Sequence, residues 1–158
     1  MIVGMPWTLP TVPASAGALV FDEQGRLLVL KPTYKSGWTV PGGVMEADGE
    51  SPWDACRREV FEETGLRVTR GRLACVDTRP AKKDRQLGLR FLFDCGAVDA
   101  GAIARIRLQR EEISDYRFVP PARALTLLRP AVRRRVAAAV DSEHCVYLEN
   151  GRRVRGLR

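Results

Sequence analysis

The chain has 158 residues, the size of one domain and short for two. It is 45% hydrophobic and 28% charged, which excludes an intrinsically disordered chain, and no stretch is long and apolar enough for a membrane span. The formal net charge of +7 is unevenly placed. From Pro121 onward nine arginines face only Asp141, Glu143 and Glu149, whereas residues 43–66 hold seven acids against Arg57 and Arg58. A basic surface attracts polyanions such as nucleotides or nucleic acid, and a knot of carboxylates within it asks for a cation.

Residues 1–13 read as a leader ahead of a single domain over 14–158. That leader has no Lys or Arg and is broken by Pro6, Pro10 and Pro13, unlike a secretory signal. Ala14 to Phe21 is an apolar run ended by the turn Asp22-Glu23-Gln24-Gly25, and Arg26 to Leu30 is a second run, so the two predict a hairpin of buried strands. Trp38-Thr39-Val40 predicts a short strand stopped by Pro41-Gly42-Gly43. A helix follows over 51–64, with Ser51 as N-cap, Pro52 at the first helical position and Gly65 as the C-terminal glycine. Strands are expected in Leu66 to Asp77, Leu87 to Cys95, Ile103 to Leu108 and Tyr116 to Val119, with a basic loop over Arg79 to Gln86. Pro120-Pro121 and Pro130 open helical stretches over Ala122 to Leu128 and Ala131 to Val140. Asn150-Gly151 is a hairpin-turn pair between Cys145 to Leu148 and Arg152 to Arg155. Strands on both sides of a central helix, with more helix at the end, predict an α/β fold with a mixed sheet between helices.

Cys56, Cys75, Cys95 and Cys145 are widely spaced, with no CxxC pair and only His144 to complete a zinc site, which fits reduced thiols in a cytoplasmic protein. The informative segment is the helix over 51–64. At 100° per residue, Glu59, Glu62 and Glu63 fall within about 100° on one side, beside an apolar stripe of Trp53, Cys56 and Val60. Like charges four apart disfavour a helix, and a divalent cation reverses that repulsion. Oxygen-only ligands select hard ions, above all Mg²⁺ with its remaining positions left to water and phosphate. Alone, Glu-x-x-Glu-Glu reads as a solvated acidic face.

The surroundings change that reading. Gly42-Gly43 precede the helix, Glu50 lies at its mouth, and Arg58-Glu59-Val60-Phe61-Glu62-Glu63-Thr64-Gly65-Leu66 closes the segment. This resembles the Nudix box, G-x5-E-x7-R-E-U-x-E-E-x-G-U with U aliphatic, and from Glu50 onward every defined position matches. The match runs from Gly43 to Leu66 with one departure, six residues instead of five between Gly43 and Glu50, and the extra residue falls in the loop upstream of the helix. The resemblance implies an α/β/α sandwich with a mixed sheet, and a Mg²⁺-dependent or Mn²⁺-dependent pyrophosphohydrolase cleaving a nucleoside diphosphate linked to another moiety, X, through attack of a metal-activated water on phosphorus. Residue by residue it implies Glu59, Glu62 and Glu63 as metal ligands, with the Gly42 carbonyl as an added ligand and Arg58 holding a glutamate in place. A further acid outside the box is expected at Glu112, just before the Tyr116 to Val119 strand. Either Glu59 or Glu112 serves as the general base.

Lys31, expected to face the box at the end of the second strand, and Arg85 of the basic loop are the candidate phosphate contacts, with Arg79, Lys82 and Lys83 as alternatives. Trp38 is a candidate to stack on a base. Pro80, fourteen residues beyond Leu66, lies close to where a proline marks ADP-ribose-cleaving members of the family. The expected partner is a nucleotide-type small molecule, with no membrane. The C-terminal arginines read as solvated surface or a homodimer contact ahead of nucleic acid, because Tyr147 alone is available there for stacking. A non-catalytic Nudix-fold module binding nucleotide or RNA is the alternative function, which loss of box glutamates would favour.

Overall fold

The computed structural model describes residues 4 and 7–157. Residues 1–3, 5 and 6 of the expected leader lie outside the described residues, and Trp7 and Leu9 are exposed. Eight strands form one sheet: β1 (Ala14–Phe21), β2 (Leu27–Pro32), β3 (Gly42–Val44), β4 (Arg72–Arg79), β5 (Gly88–Ala97), β6 (Ile113–Val119), β7 (Val146–Glu149) and β8 (Arg152–Arg153). Four helices cover it: α1 (Pro52–Thr64), α2 (Ala100–Ala104), α3 (Pro121–Leu127) and α4 (Pro130–Val140). The strand order is β6-β2-β1-β5-β4-β7-β8, with β3 paired to β1. β1 and β5 run parallel, as do β4 and β7, and the remaining pairs are antiparallel, so the sheet is mixed as expected.

Strand alternation divides the core in two. Leu28 and Leu30 of β2 join Ala55, Cys56 and Val60 of α1 on one face. Leu27 and Val29 join Ala124, Val132 and Val136 of α3 and α4 on the other. The result is an α/β/α sandwich, each layer driven by apolar residues removed from water at roughly 25 cal/mol per Å². Among the described residues no helix is long and apolar enough to cross a membrane.

The hairpin of β1 and β2 turns at Asp22, whose carboxylate accepts from the backbone N–H of Gln24 and Arg26 and pairs with the Arg26 guanidinium. The box helix starts and stops where its caps predict: Ser51 Oγ accepts from Asp54 N–H at 3.1 Å, and Gly65 adopts φ 76°.

Four local expectations are corrected. Trp38 and Thr39 make only isolated bridges, and the strand forms at Gly42–Val44, where glycine permits an approach that a side chain forbids. The segment 66–71 is not strand: Leu66 and Val68 are buried beside α1, and β4 begins at Arg72. Ile103 to Leu108 is not a strand either. Asp99 caps α2 by accepting from Ala102 N–H, and the chain then runs irregularly past α1, with Arg107 N–H donating to Thr64 O. Finally, β8 is limited to Arg152–Arg153.

Gly42 has φ 156°, and an added Cβ would lie 2.6 Å from Ala16 O and 2.7 Å from Gly17 Cα. Both obstacles are backbone and cannot rotate away. Gly42→Ala is expected to destabilise the protein by about 3 kcal/mol, read as a lower urea midpoint at unchanged m-value.

Candidate functional site

The glycines of β3 and the glutamates of α1 make one site. Ala55, Cys56 and Val60 seat α1 on the sheet, which turns Glu63 inward until it is only 3% exposed. There its Oε1 accepts from Gly42 N–H at 3.0 Å. Gly43 passes so close to the Glu59 carboxylate that a Cβ would collide with it. A side chain at Gly43 would displace the Glu59 carboxylate, and one at Gly42 would push β3 off β1 and with it the N–H that Glu63 accepts from.

Arg58 organises the mouth of the site. Its Nε and Nη2 donate to the two oxygens of Glu50 at 2.7 and 2.9 Å, a bidentate fork. Its Nη1 donates to Glu59 Oε1 at 3.0 Å and Glu62 Oε2 at 3.1 Å, and Nη2 also donates to Val44 O. Glu50 was not among the expected site residues, although its place opposite Arg58 was visible in the box spacing. The extra residue upstream of Glu50 is absorbed in an exposed turn around Ala47, Asp48 and Gly49, and the Glu50–Arg58 fork forms regardless.

These contacts set the protonation of the carboxylates. The Arg58 guanidinium holds Glu50 down to about 2. Burial pushes Glu63 up to about 8 against the Gly42 hydrogen bond, with the charges of Glu59 and Glu112 adding to the rise. Burial also raises Glu59, opposed by Arg58 and reinforced by Glu62 and Glu112. Glu112 thus acts on both box glutamates from outside the helix, held there by its backbone O accepting from Thr33 N–H at 2.8 Å. Because the folded-state value of Glu50 is depressed, its contribution to stability is complete above the ordinary carboxylate range and is lost as pH falls toward 2. Thermal unfolding of wild type and Glu50→Gln is expected to show a gap at pH 7 that closes between about pH 4.5 and 2. A gap independent of pH would sink this assignment.

Among the described residues no three acidic side chains already form a cation cage, since Arg58 Nη1 bridges Glu59 and Glu62. The donor chemistry nevertheless suits a hard divalent ion: every donor is an oxygen, and a buried carboxylate pressed by two others lacks a compensating positive charge.

The expected substrate residues divide. Arg85 lines a cleft of about 560 Å³ that borders Gly42, Gly43 and Val44, and Arg79 and Lys82 line it as well. Lys31 does not face the box. Leu28 and Leu30 occupy that side of β2, and strand alternation puts the Lys31 ammonium on the other, 5.8 Å from the Trp38 ring. Trp38 is itself core, 8% exposed, with the Arg117 guanidinium 4.8 Å from its ring, so it offers no face to a base. The expected solvated surface of C-terminal arginines is also corrected in part: Arg134 and Arg135 are half-buried and line the cleft with Lys35, Arg90 and Arg129. The spacing of Ala131, Arg134 and Arg135 on one face of α4 was the available signal.

The family profile described as NUDIX domain matches residues 11–140. The chain belongs to the Nudix family. An uncharacterized Nudix hydrolase of Pseudomonas aeruginosa is 34% identical over 119 residues, which is 68% of this Nudix chain and 62% of that protein. Diphosphoinositol polyphosphate phosphohydrolase 2 of Homo sapiens is 42% identical over 64 residues, 40% of this chain and 35% of that one. The matches thus span from about a third to under two thirds of the length of these curated relatives. The crystal structure of a MutT protein from Methanosarcina mazei superposes with a TM-score of 0.69 at 26% identity, covering 85% of this chain and 97% of that one.

Proposed function

We propose that this Nudix protein is a Mg²⁺-dependent hydrolase of phosphoric anhydrides, with Mn²⁺ as a substitute, acting on a nucleoside diphosphate linked to a moiety X. The single observation that carries this reading is the buried Glu63, pressed by Glu59 and Glu112 and satisfied only in part by Gly42 N–H. Glu59, Glu62 and Glu63, with the Gly42 carbonyl, would hold the ion. Once bound, it supplies Lewis acidity that polarises phosphoryl oxygens and offsets charge on the leaving oxygen.

The chain's own groups do the rest. Arg58 fixes Glu59 and Glu62 by charge-assisted hydrogen bonds, anchored in turn by Glu50. Glu59 or Glu112 accepts the proton of the attacking water as it approaches phosphorus in line. Glutamine at the base lowers kcat by about a hundredfold to ten-thousandfold, and because Glu59 would also hold the ion, Glu112→Gln is the variant that assigns the role: a loss of that size at saturating Mg²⁺ makes Glu112 the base, and a near-wild-type kcat leaves Glu59. The Arg85 side of the cleft receives the phosphate-bearing part of the substrate.

Residues 14–158 act as one domain in this reading, and the free cysteines Cys56, Cys75, Cys95 and Cys145 support a cytoplasmic setting. The test is a substrate panel of nucleoside triphosphates, oxidised nucleotides, ADP-ribose, nucleotide sugars, dinucleoside polyphosphates, capped RNA and, prompted by the name of one relative, diphosphoinositol polyphosphates. Cleavage with Mg²⁺ that stops in EDTA and in Glu62→Gln/Glu63→Gln is the expected result. Binding without turnover across the panel would instead indicate a non-catalytic binding module.

A further inference from the structure

The cleft beside the carboxylates carries more positive charge than the hydrolase reading, which uses only its Arg85 side, accounts for. Lys35, Arg79, Lys82 and Arg85 stand around it, and Arg90, Arg129, Arg134 and Arg135 reach in from β5 and the start of α4. Asp77 is the one acid in the lining, and it is already engaged. Its Oδ1 accepts from Gly151 N–H at 2.9 Å, and its Oδ2 lies 3.1 Å from Arg135 Nε, off the hydrogen-bond direction.

The Nε atoms of Arg129 and Arg134 are buried without an acceptor, and that of Arg135 has only the Asp77 carboxylate beside it. Burial and mutual repulsion hold Lys35, Arg90 and Arg135 below their ordinary values: Arg129, Arg79 and Arg90 act on Lys35, and Arg135, Arg79 and Arg85 act on Arg90. Eight cations against one carboxylate around about 560 Å³ is a cavity under electrostatic strain, and a bound polyanion relieves it. Phosphate groups carry nearly two negative charges each, so the surplus matches about four of them.

Recognition of a nucleobase needs acceptors as well as donors, and an open aromatic face. This lining is dominated by donors. Of its aromatic rings, Phe91 packs into the core under α1, which leaves Tyr34, exposed at the rim with the Lys35 ammonium 5.4 Å from its centroid, as the one lining ring open to a base.

We propose that X is itself multiply phosphorylated, and that Lys35, Arg90, Arg129 and Arg134 grip its phosphates in this cleft while the scissile anhydride lies over Gly42–Val44 beside the glutamates. These four cations then set substrate specificity. The inference rests on the hydrolase reading for turnover, but not for binding.

The test separates the two. Calorimetry in EDTA compares wild-type protein with myo-inositol hexakisphosphate, a polyanion without an anhydride, against AMP and inorganic phosphate. The hexakisphosphate should bind about a hundredfold tighter than AMP, losing affinity steeply between roughly 50 and 200 mM salt. Arg129→Gln/Arg134→Gln should weaken it at least tenfold, with folding checked by circular dichroism, while AMP is little affected. Lys35→Gln/Lys82→Gln, at the rim, is the second variant if the first does not fold. In turnover, either variant should raise KM for substrates whose X carries several phosphates and leave kcat unchanged. Equal affinity for hexakisphosphate and AMP, or indifference to both variants, overturns the proposal whatever the turnover. A single-stranded RNA oligonucleotide that binds tighter and displaces the hexakisphosphate overturns it in favour of nucleic acid. Tight hexakisphosphate binding with no turnover of any substrate supports the cleft's ligand class and refutes the hydrolase reading alone.

Discussion

Glu63→Gln is expected to lower kcat on the order of a thousandfold, about 4 kcal/mol of transition-state stabilisation, in a protein that remains folded. Glutamine has the same shape, and its side-chain oxygen still accepts from Gly42 N–H, so the packing of α1 on the sheet is kept. What disappears is the charge that a cation would meet. The metal-free protein should therefore respond in the opposite direction. Glu63 is pushed up to about 8 by burial and by Glu59 and Glu112, so its folded-state value lies above the ordinary 4.5. A raised carboxylate subtracts stability as pH climbs from about 4.5 toward 8, because the unfolded chain sheds its proton first. In EDTA, Glu63→Gln should melt above wild type at pH 8 and level with it near pH 5. Added Mg²⁺ should raise the wild-type midpoint and leave the variant's unchanged, since only a ligand that binds the folded state stabilises it. A variant that keeps wild-type kcat, or that still gains stability from Mg²⁺, would remove Glu63 from the metal site.

The box was legible because its signals are local. Ser51, Pro52 and Gly65 define the ends of α1, and the order Glu50, Arg58, Glu59, Glu62, Glu63 puts its chemistry on one helix. The hairpin at Asp22 was legible for the same reason. The misses came from long-range contacts. Gly42-Gly43 looked like a terminator, yet the approach of β1 at Ala16 and Gly17 makes the same glycines a strand. Ile106 and Leu108 alternate with arginines like a strand, but they fill the core beside α1 from an irregular segment. Lys31 followed an apolar run whose alternation could not say which face held α1. Arg129, Arg134 and Arg135 looked like surface because nothing in the sequence near them shows Lys35, Arg79 and Arg90 arriving from other elements.

Arg58→Ala should lower activity by about tenfold to a hundredfold at fixed Mg²⁺, the scale seen when a partner orienting metal ligands is lost. The side chain is mostly buried, and its removal takes the guanidinium donors from Glu59 and Glu62 and leaves Glu50 with the Glu46 N–H alone. Three carboxylates that repel one another without a fixed counter-charge spread apart, so the ion has to reassemble its ligands on binding. The loss should appear first as a higher Mg²⁺ requirement, with part of kcat recovered at saturating metal. Arg58→Lys is the discriminating partner variant. It keeps the positive charge but cannot donate in a fork to Glu50 while also bridging Glu59 and Glu62. If charge alone mattered, lysine would restore the wild-type Mg²⁺ dependence. If the fork positions the ligands, as the geometry implies, lysine recovers stability more fully than activity. Wild-type Mg²⁺ dependence in Arg58→Ala would mean that the glutamates reach the ion unaided, and that the arginine only anchors the loop carrying Glu50.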